Sequence, residues 1–172
     1  MRVFRKLAIT GSSVWYWLAL ALLGLAFEGV ALFYQHVLDE LPCVLCIHVR
    51  LLMLALILIS LAGLFLHRFK WPNALAHLLT VLVAAGLLER SYQLLGTERG
   101  FTFSDCGLDL GMPSWLAVDS WFPAVFQVQT SCGYTPELLF GITMAEVLIV
   151  FSAVFVLFSL TMMFTSVLNN NN

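Results

Sequence analysis

Four stretches of this chain are long, apolar and nearly free of charge, and they limit its possible folds more than any motif does. They cover about residues 14–34, 44–66, 71–92 and 144–168. Each is close to the roughly 20 residues that a helix needs to cross about 30 Å of hydrocarbon at about 1.5 Å per residue. In lipid the backbone must satisfy its own hydrogen bonds, so these segments are expected to be helices. Composition agrees: the chain is 61% hydrophobic and 10% charged, with mean hydropathy +0.95. Soluble domains run at about 45–50% apolar and about 25% charged. The expected fold is an all-α membrane protein, a four-transmembrane-helix bundle forming one integral membrane domain over residues 1–172. Arg2, Arg5 and Lys6 ahead of the first segment imitate a signal peptide. That segment is too long for one and no A-x-A-like site follows, so it is read as retained.

Lysine and arginine set the orientation. Arg2, Arg5 and Lys6 precede the first segment, and Arg68 and Lys70 lie between the second and third. Both places are expected to be cytoplasmic, which puts both termini there. A short connection over 35–43 and a long loop over about 93–143 then lie on the opposite, non-cytoplasmic side. A loop of that length in a compact chain is usually functional or disordered. Trp115, Trp121, Phe122, Pro123 and Phe126 argue for order, and residues 112–126 are expected to form a short helix in the interface with tryptophans at headgroup level. A net charge of −2 on so few charged residues leaves no basic stripe for nucleic acid.

The chemistry is carried by Cys43-Val44-Leu45-Cys46, with Arg50 one turn further on. This cysteine spacing belongs to a thiol–disulfide redox pair or to half a metal site. The chain has four cysteines, Cys43, Cys46, Cys106 and Cys132, all outside the apolar cores and on the expected non-cytoplasmic side, which in bacteria is the oxidising one. Three pairings are possible; Cys43 and Cys46 are local, which leaves Cys106 with Cys132 across the long loop. No metal is expected, because a zinc site prefers a second close pair. Cys106–Cys132 alone would ordinarily be a structural staple. A disulfide on the first turn of a helix is strained and exposed, hence exchangeable. Pro42, the helix dipole and Arg50 all favour thiolate there. Cys46 and Arg50 stand at i and i+4 on one face, where Arg50 suits an anion, either a thiolate or a reduced quinone. Its bland alternative is a snorkelling side chain. Cys43 lies at the outer lip, and Cys46, one turn deeper, faces a lipid-soluble acceptor. Glu28 is expensive in lipid and is therefore a functional candidate, although the commoner outcome is a protonated carboxyl bonded to a neighbouring helix. His48 is about 200° around the helix from Cys46 and belongs to another face.

These residues resemble the disulfide bond formation protein B (DsbB) family of bacterial inner-membrane enzymes. The resemblance covers nearly the whole chain. It rests on Glu28 with Ala31-Leu32-Phe33-Tyr34-Gln35-His36, on Pro42-Cys43-Val44-Leu45-Cys46-Ile47 with Arg50, on Cys106, on Trp121 and Pro123, on Ser131-Cys132-Gly133, and on Leu139-Phe140-Gly141-Ile142-Thr143-Met144. It implies reoxidation of a periplasmic thioredoxin-fold oxidant, DsbA-like, with electrons passed to ubiquinone or menaquinone. Cys106–Cys132 would take electrons from that partner and exchange with Cys43–Cys46, and Cys46 would reduce a quinone held near Arg50 and Met144. One departure stands out. Many members carry a histidine at the periplasmic end of the third helix beside the quinone, and the resemblance puts Gln93 at that place here, where it can still donate a hydrogen bond.

Three rival readings remain at this level. A vitamin K epoxide reductase-like enzyme usually has its C-x-x-C in the last helix. A paralogue serving a dedicated substrate would share every motif. A non-enzymatic four-helix adhesion or junction protein has no reason to place C-x-x-C and arginine at a helix start.

Overall fold

The computed structural model of the chain describes residues 11, 13–102, 107, 109–113, 117–139 and 141–170. Four long helices dominate: α1 over Val14–Val37, α2 over Val44–Leu66, α3 over Lys70–Arg99 and α6 over Met144–Asn170. Between α3 and α6 lie two single turns, α4 over Val118–Trp121 and α5 over Pro123–Phe126, and an antiparallel hairpin of β1 (Glu137–Leu139) and β2 (Ile142–Thr143). All four long helices are apolar and long enough to cross a membrane, so the expected four-helix membrane bundle forms.

Local chemistry explains the helix ends. Ser13 opens α1 by accepting the Trp15 N–H at 3.3 Å. Pro72 stands in the first turn of α3, where a missing N–H leaves no bond unmade. Gly100 stops α3 at φ 75°, a left-handed conformation that suits glycine, and its N–H bonds back to the last turn. The helix therefore reaches Arg99 rather than ending near 92, and the long loop starts correspondingly later. Tertiary contacts hold these extra turns. Leu94 is buried, and Glu98 accepts hydrogen bonds from Thr135 at 2.6 Å and Thr143 at 3.3 Å. The expected helix over 112–126 is instead two turns. Pro123 drives the preceding Phe122 out of the helical region, to φ −134° and ψ 66°. Trp121 and Phe122 are exposed and Phe126 is buried, which leaves an apolar outer face. Trp115 lies outside the described residues.

The helices pack in the order α1 on α2, α2 on α3, and α3 on α6. Small residues allow the close approaches, as is usual where helices meet in lipid. A Cβ on Gly63 of α2 would sit 2.4 Å from the Trp17 ring of α1. Ser91 of α3 and Ser152 of α6 share a hydrogen bond of 2.9 Å. Ser60 and Ser159 return their hydroxyls to the carbonyl one turn back, so neither donor is left unpaired in an apolar setting. Trp17, Met53, Leu56, Leu87 and Phe155 fill the middle of the bundle. A second core, at the cysteine end, gathers Cys43, Ile47, Leu94, Phe126 and Leu148. Leu25, Leu58, Leu82, Val154 and Leu157 face outward, as lipid-facing positions should.

Candidate functional site

The 38–43 connection delivers the first cysteine. Asp39 adopts φ 53°, a left-handed turn that short polar side chains tolerate. The chain then reaches Cys43, which is the N-cap of α2. Its sulfur accepts the Cys46 N–H at 3.2 Å and its carbonyl accepts the Ile47 N–H at 3.0 Å. Cys46 is thereby fixed in the first turn, directly against the capping sulfur.

The exposed first turn expected from the sequence is not found at Cys43, which is only 1% exposed. Segment 129–132 of the long loop covers it. The Gln129 N–H donates to the Pro42 carbonyl at 3.0 Å, and Thr130 pairs with Cys43 as in a parallel bridge. This register brings Cys132 to Cys43, whose thiol interacts with those of both Cys132 and Cys46. Hydrogen bonding to Cys132, then to Cys46, then burial, holds the Cys43 thiol well above the usual thiol range. At Cys43 itself these contacts favour the neutral thiol. Cys106 lies outside the described residues, and so does the expected Cys106–Cys132 pairing.

Arg50 does not snorkel: it is 6% exposed. It donates to the Gln35 side-chain carbonyl, to Val125 O at 2.8 Å and to Ala31 O at 2.8 Å. Gln35 in turn donates to Ala124 O at 3.1 Å. The two side chains fasten α5 onto α1 and α2. Three of the five guanidinium donors meet neutral acceptors, so the cation keeps its charge where the anion was expected.

Beside this clamp is an apolar cavity of about 300 Å³. Cys46, Arg50 and Met144 all line it, together with Glu28, Gln35 and Leu94. Three of the expected site residues are thus brought together by α2 and the start of α6. Gln93 is not among them. One step along α3 rotates it about 100° from Leu94, towards a second cavity with His48, Arg90 and Asp109. There it accepts from Arg90 and donates to Glu89, each at 3.1 Å. The α3 contribution to the first cavity is the apolar Leu94, so polarisation of an acceptor by Gln93 finds no support in this geometry. Gln35 is the residue whose part in the clamp sequence reading does not assign, although it sits seven residues from Glu28 on the same face of an apolar helix. Among the described residues no group of three metal-ligating side chains occurs.

This arrangement can do two things. The three thiols can exchange disulfides, and Cys46 alone opens on an apolar space beside a fixed cation. A four-helix membrane bundle with a cysteine pair at the mouth of such a cavity has the build of a multi-pass membrane oxidoreductase. The chain belongs to the DsbB family: the model for "Disulfide bond formation protein DsbB" matches residues 13–162. It is 35% identical over 135 residues to disulfide bond formation protein B of Shewanella loihica, covering 78% of this chain and 79% of that protein. It is 32% identical over 132 residues to disulfide bond formation protein B 2 of Pseudomonas aeruginosa, covering 76% and 78%. With the protein B of Shewanella amazonensis it shares 34% over 142 residues, covering 82% and 84%. The protein is accordingly a disulfide-forming membrane oxidoreductase.

Proposed function

We propose that the protein is a thiol:quinone oxidoreductase of the bacterial inner membrane, with its cysteines on the periplasmic side. It reoxidises a thioredoxin-fold dithiol oxidase, DsbA-like, and passes the electrons to ubiquinone or menaquinone. The observation that carries this reading is the position of Cys46 between two environments. On one side it touches Cys43, which touches Cys132; on the other it lines the apolar cavity with Arg50 and Met144.

The cavity suits a quinone ring. Its volume is at the small end of the roughly 300–1,000 Å³ of ligand sites, its walls are apolar, and its few polar groups converge. Val30 of α1 and Val147 of α6, both exposed, also border it, which suits entry from the bilayer between those helices. A bound quinone supplies an acceptor for two electrons and two protons. The protein's own part is then exchange, positioning and charge. The partner's dithiol reduces Cys106–Cys132. Cys132, held against Cys43, carries the exchange to the Cys43–Cys46 pair. Cys43 is the member of the pair that meets the loop cysteine, and Cys46 faces the acceptor. Arg50, anchored by Gln35 and two carbonyls, stabilises negative charge at Cys46 or on the acceptor without moving. Mixing purified protein, a quinone and a reduced thioredoxin-fold oxidase tests the whole reading. Quinone absorbance should fall while the partner gains its disulfide, and no change in either would refute it.

A further inference from the structure

Glu28 lines the same cavity and has no settled role. It lies on α1, seven residues before Gln35, so it points the same way but about 10 Å deeper at about 1.5 Å per residue. The bland fate of such a carboxyl is a hydrogen bond to a neighbouring helix. That is not what is found, because Glu28 Oε1 is buried with no hydrogen-bond partner among the described residues. A buried acceptor left unpaired in an apolar wall is destabilising, and such groups are retained where they serve a function. The Arg50 charge acts on it from α2. The other ionisable groups around the cavity are Tyr34 on α1, Glu40 in the 38–43 connection, and Cys46 and Arg50 on α2; α3, α6 and the 135–138 segment contribute none. Arg50 cannot release a proton. Glu28 is therefore the acid placed deepest along α1, beside the cation and in the wall that Cys46 shares.

We propose that Glu28 is the proton carrier of the acceptor site, donating a proton to an acceptor oxygen as the thiol pair gives up its electrons. This rests on the quinone reading above. The balance is simple. The S–H bonds of Cys43 and Cys46 break, an S–S bond forms between them, and two electrons and two protons pass to the quinone, whose two oxygens each gain an O–H bond. Glu28 relays one of those protons: its carboxyl gives a proton up, its carboxylate is held briefly beside Arg50, and a proton released by the thiols restores it. A carboxyl with an unpaired oxygen in an apolar wall is suited to this, since it is not tied to a structural partner and the nearby cation limits the cost of ionising.

The test uses full-length protein reduced with a small dithiol and mixed rapidly with a short-chain quinone over the pH range in which carboxyls and thiols titrate. Glu28→Gln keeps the shape and a donor but cannot transfer a proton. General acid catalysis contributes about 10²–10⁴-fold, so the variant should reduce bound quinone at least about tenfold more slowly, with quinone affinity within about threefold of wild type. Glu28→Asp should recover part of the rate. A readout independent of turnover is the infrared difference spectrum of oxidised wild-type protein with and without quinone. A protonated-carboxyl stretch should shift on binding and be missing in Glu28→Gln; this measurement also stands if the variant folds poorly. A Glu28→Gln rate equal to wild type at every pH, a defect confined to quinone affinity, or a wild-type spectrum without a carboxyl shift would each overturn the role of Glu28. Wild-type protein that reduces no quinone refutes the underlying function instead, so the two failures are distinguishable.

Discussion

Arg50 joins more of the molecule than any other single side chain at the site. It bonds α1 at Ala31 and Gln35 and α5 at Val125, and it faces the cavity beside Cys46. Charge-assisted bonds contribute about 1.5–3 kcal/mol, so Arg50→Met should weaken quinone dependence by roughly ten- to a hundred-fold. Arg50→Lys should lose less, since lysine keeps the charge but not the planar fork that reaches three acceptors. Exchange between Cys132 and Cys43 should stay near normal, because segment 129–132 is held by its own backbone bonds to Pro42. Steady-state kinetics with varied quinone, beside a stopped-flow exchange assay, separate the effects; an Arg50→Met enzyme with wild-type quinone dependence contradicts the assignment. The loop cysteines make a complementary case. Cys106→Ser and Cys132→Ser should each block oxidation of the partner while leaving quinone reduction by small dithiols at Cys43–Cys46. Cys132→Ser should accumulate a mixed disulfide with the partner through Cys106, because the resolving thiol is gone. A non-reducing gel that shows the adduct only in Cys106→Ser reverses those roles.

Between elements, the packing of α1 on α2 depends on what is absent from Gly63. A methyl there meets the Trp17 ring at 2.4 Å, and Trp17 is fully buried, with its indole N–H directed to Asn73 at 3.3 Å. The ring has nowhere to retreat without losing that bond. Overpacking of this kind costs about 1–3 kcal/mol, more than the roughly 1 kcal/mol that alanine gains over glycine in a helix. Gly63→Ala should therefore lower the thermal midpoint in detergent, and Gly63→Leu should lower it further. The reactive thiols sit at the other end of α2, so exchange kinetics in folded Gly63→Ala protein should stay near wild type. A midpoint equal to or above wild type would show that α1 and α2 separate without penalty.

Taken whole, the molecule must present its thiols to one aqueous side and its basic turn to the other. Lys70 opens α3 and Gly100 closes it, so residues 70 and 101 lie at opposite ends of one helix. Single cysteines at these two positions, in a background lacking the native four, should label from opposite sides of sealed vesicles, with 70 on the cytoplasmic side. Labelling of both from one side would rule out the proposed orientation. The four helices were legible because hydrocarbon thickness and unpaired backbone groups leave little choice for runs of this length and polarity. The C-x-x-C with arginine at i+4 was legible for a similar reason, since helical geometry fixes neighbours on one face. The extension of α3 was hidden, because its last turns are polar and are held by Thr135 and Thr143, far away in sequence. Burial of Cys43 was hidden too, for it depends on a loop segment arriving some 87 residues later (130 − 43) in parallel register. The same holds for Gln93 and Leu94: spacing along one helix cannot say which of two adjacent residues faces a cavity whose other walls belong to α1, α2 and α6. Sequence by itself determined the membrane bundle, the thiol pair and its arginine, because those follow from local periodicity and solvent. Tertiary structure alone decided which thiol is covered, what anchors the arginine and which buried carboxyl oxygen has no hydrogen-bond partner among the described residues, because each depends on contacts between segments that the chain brings together only on folding.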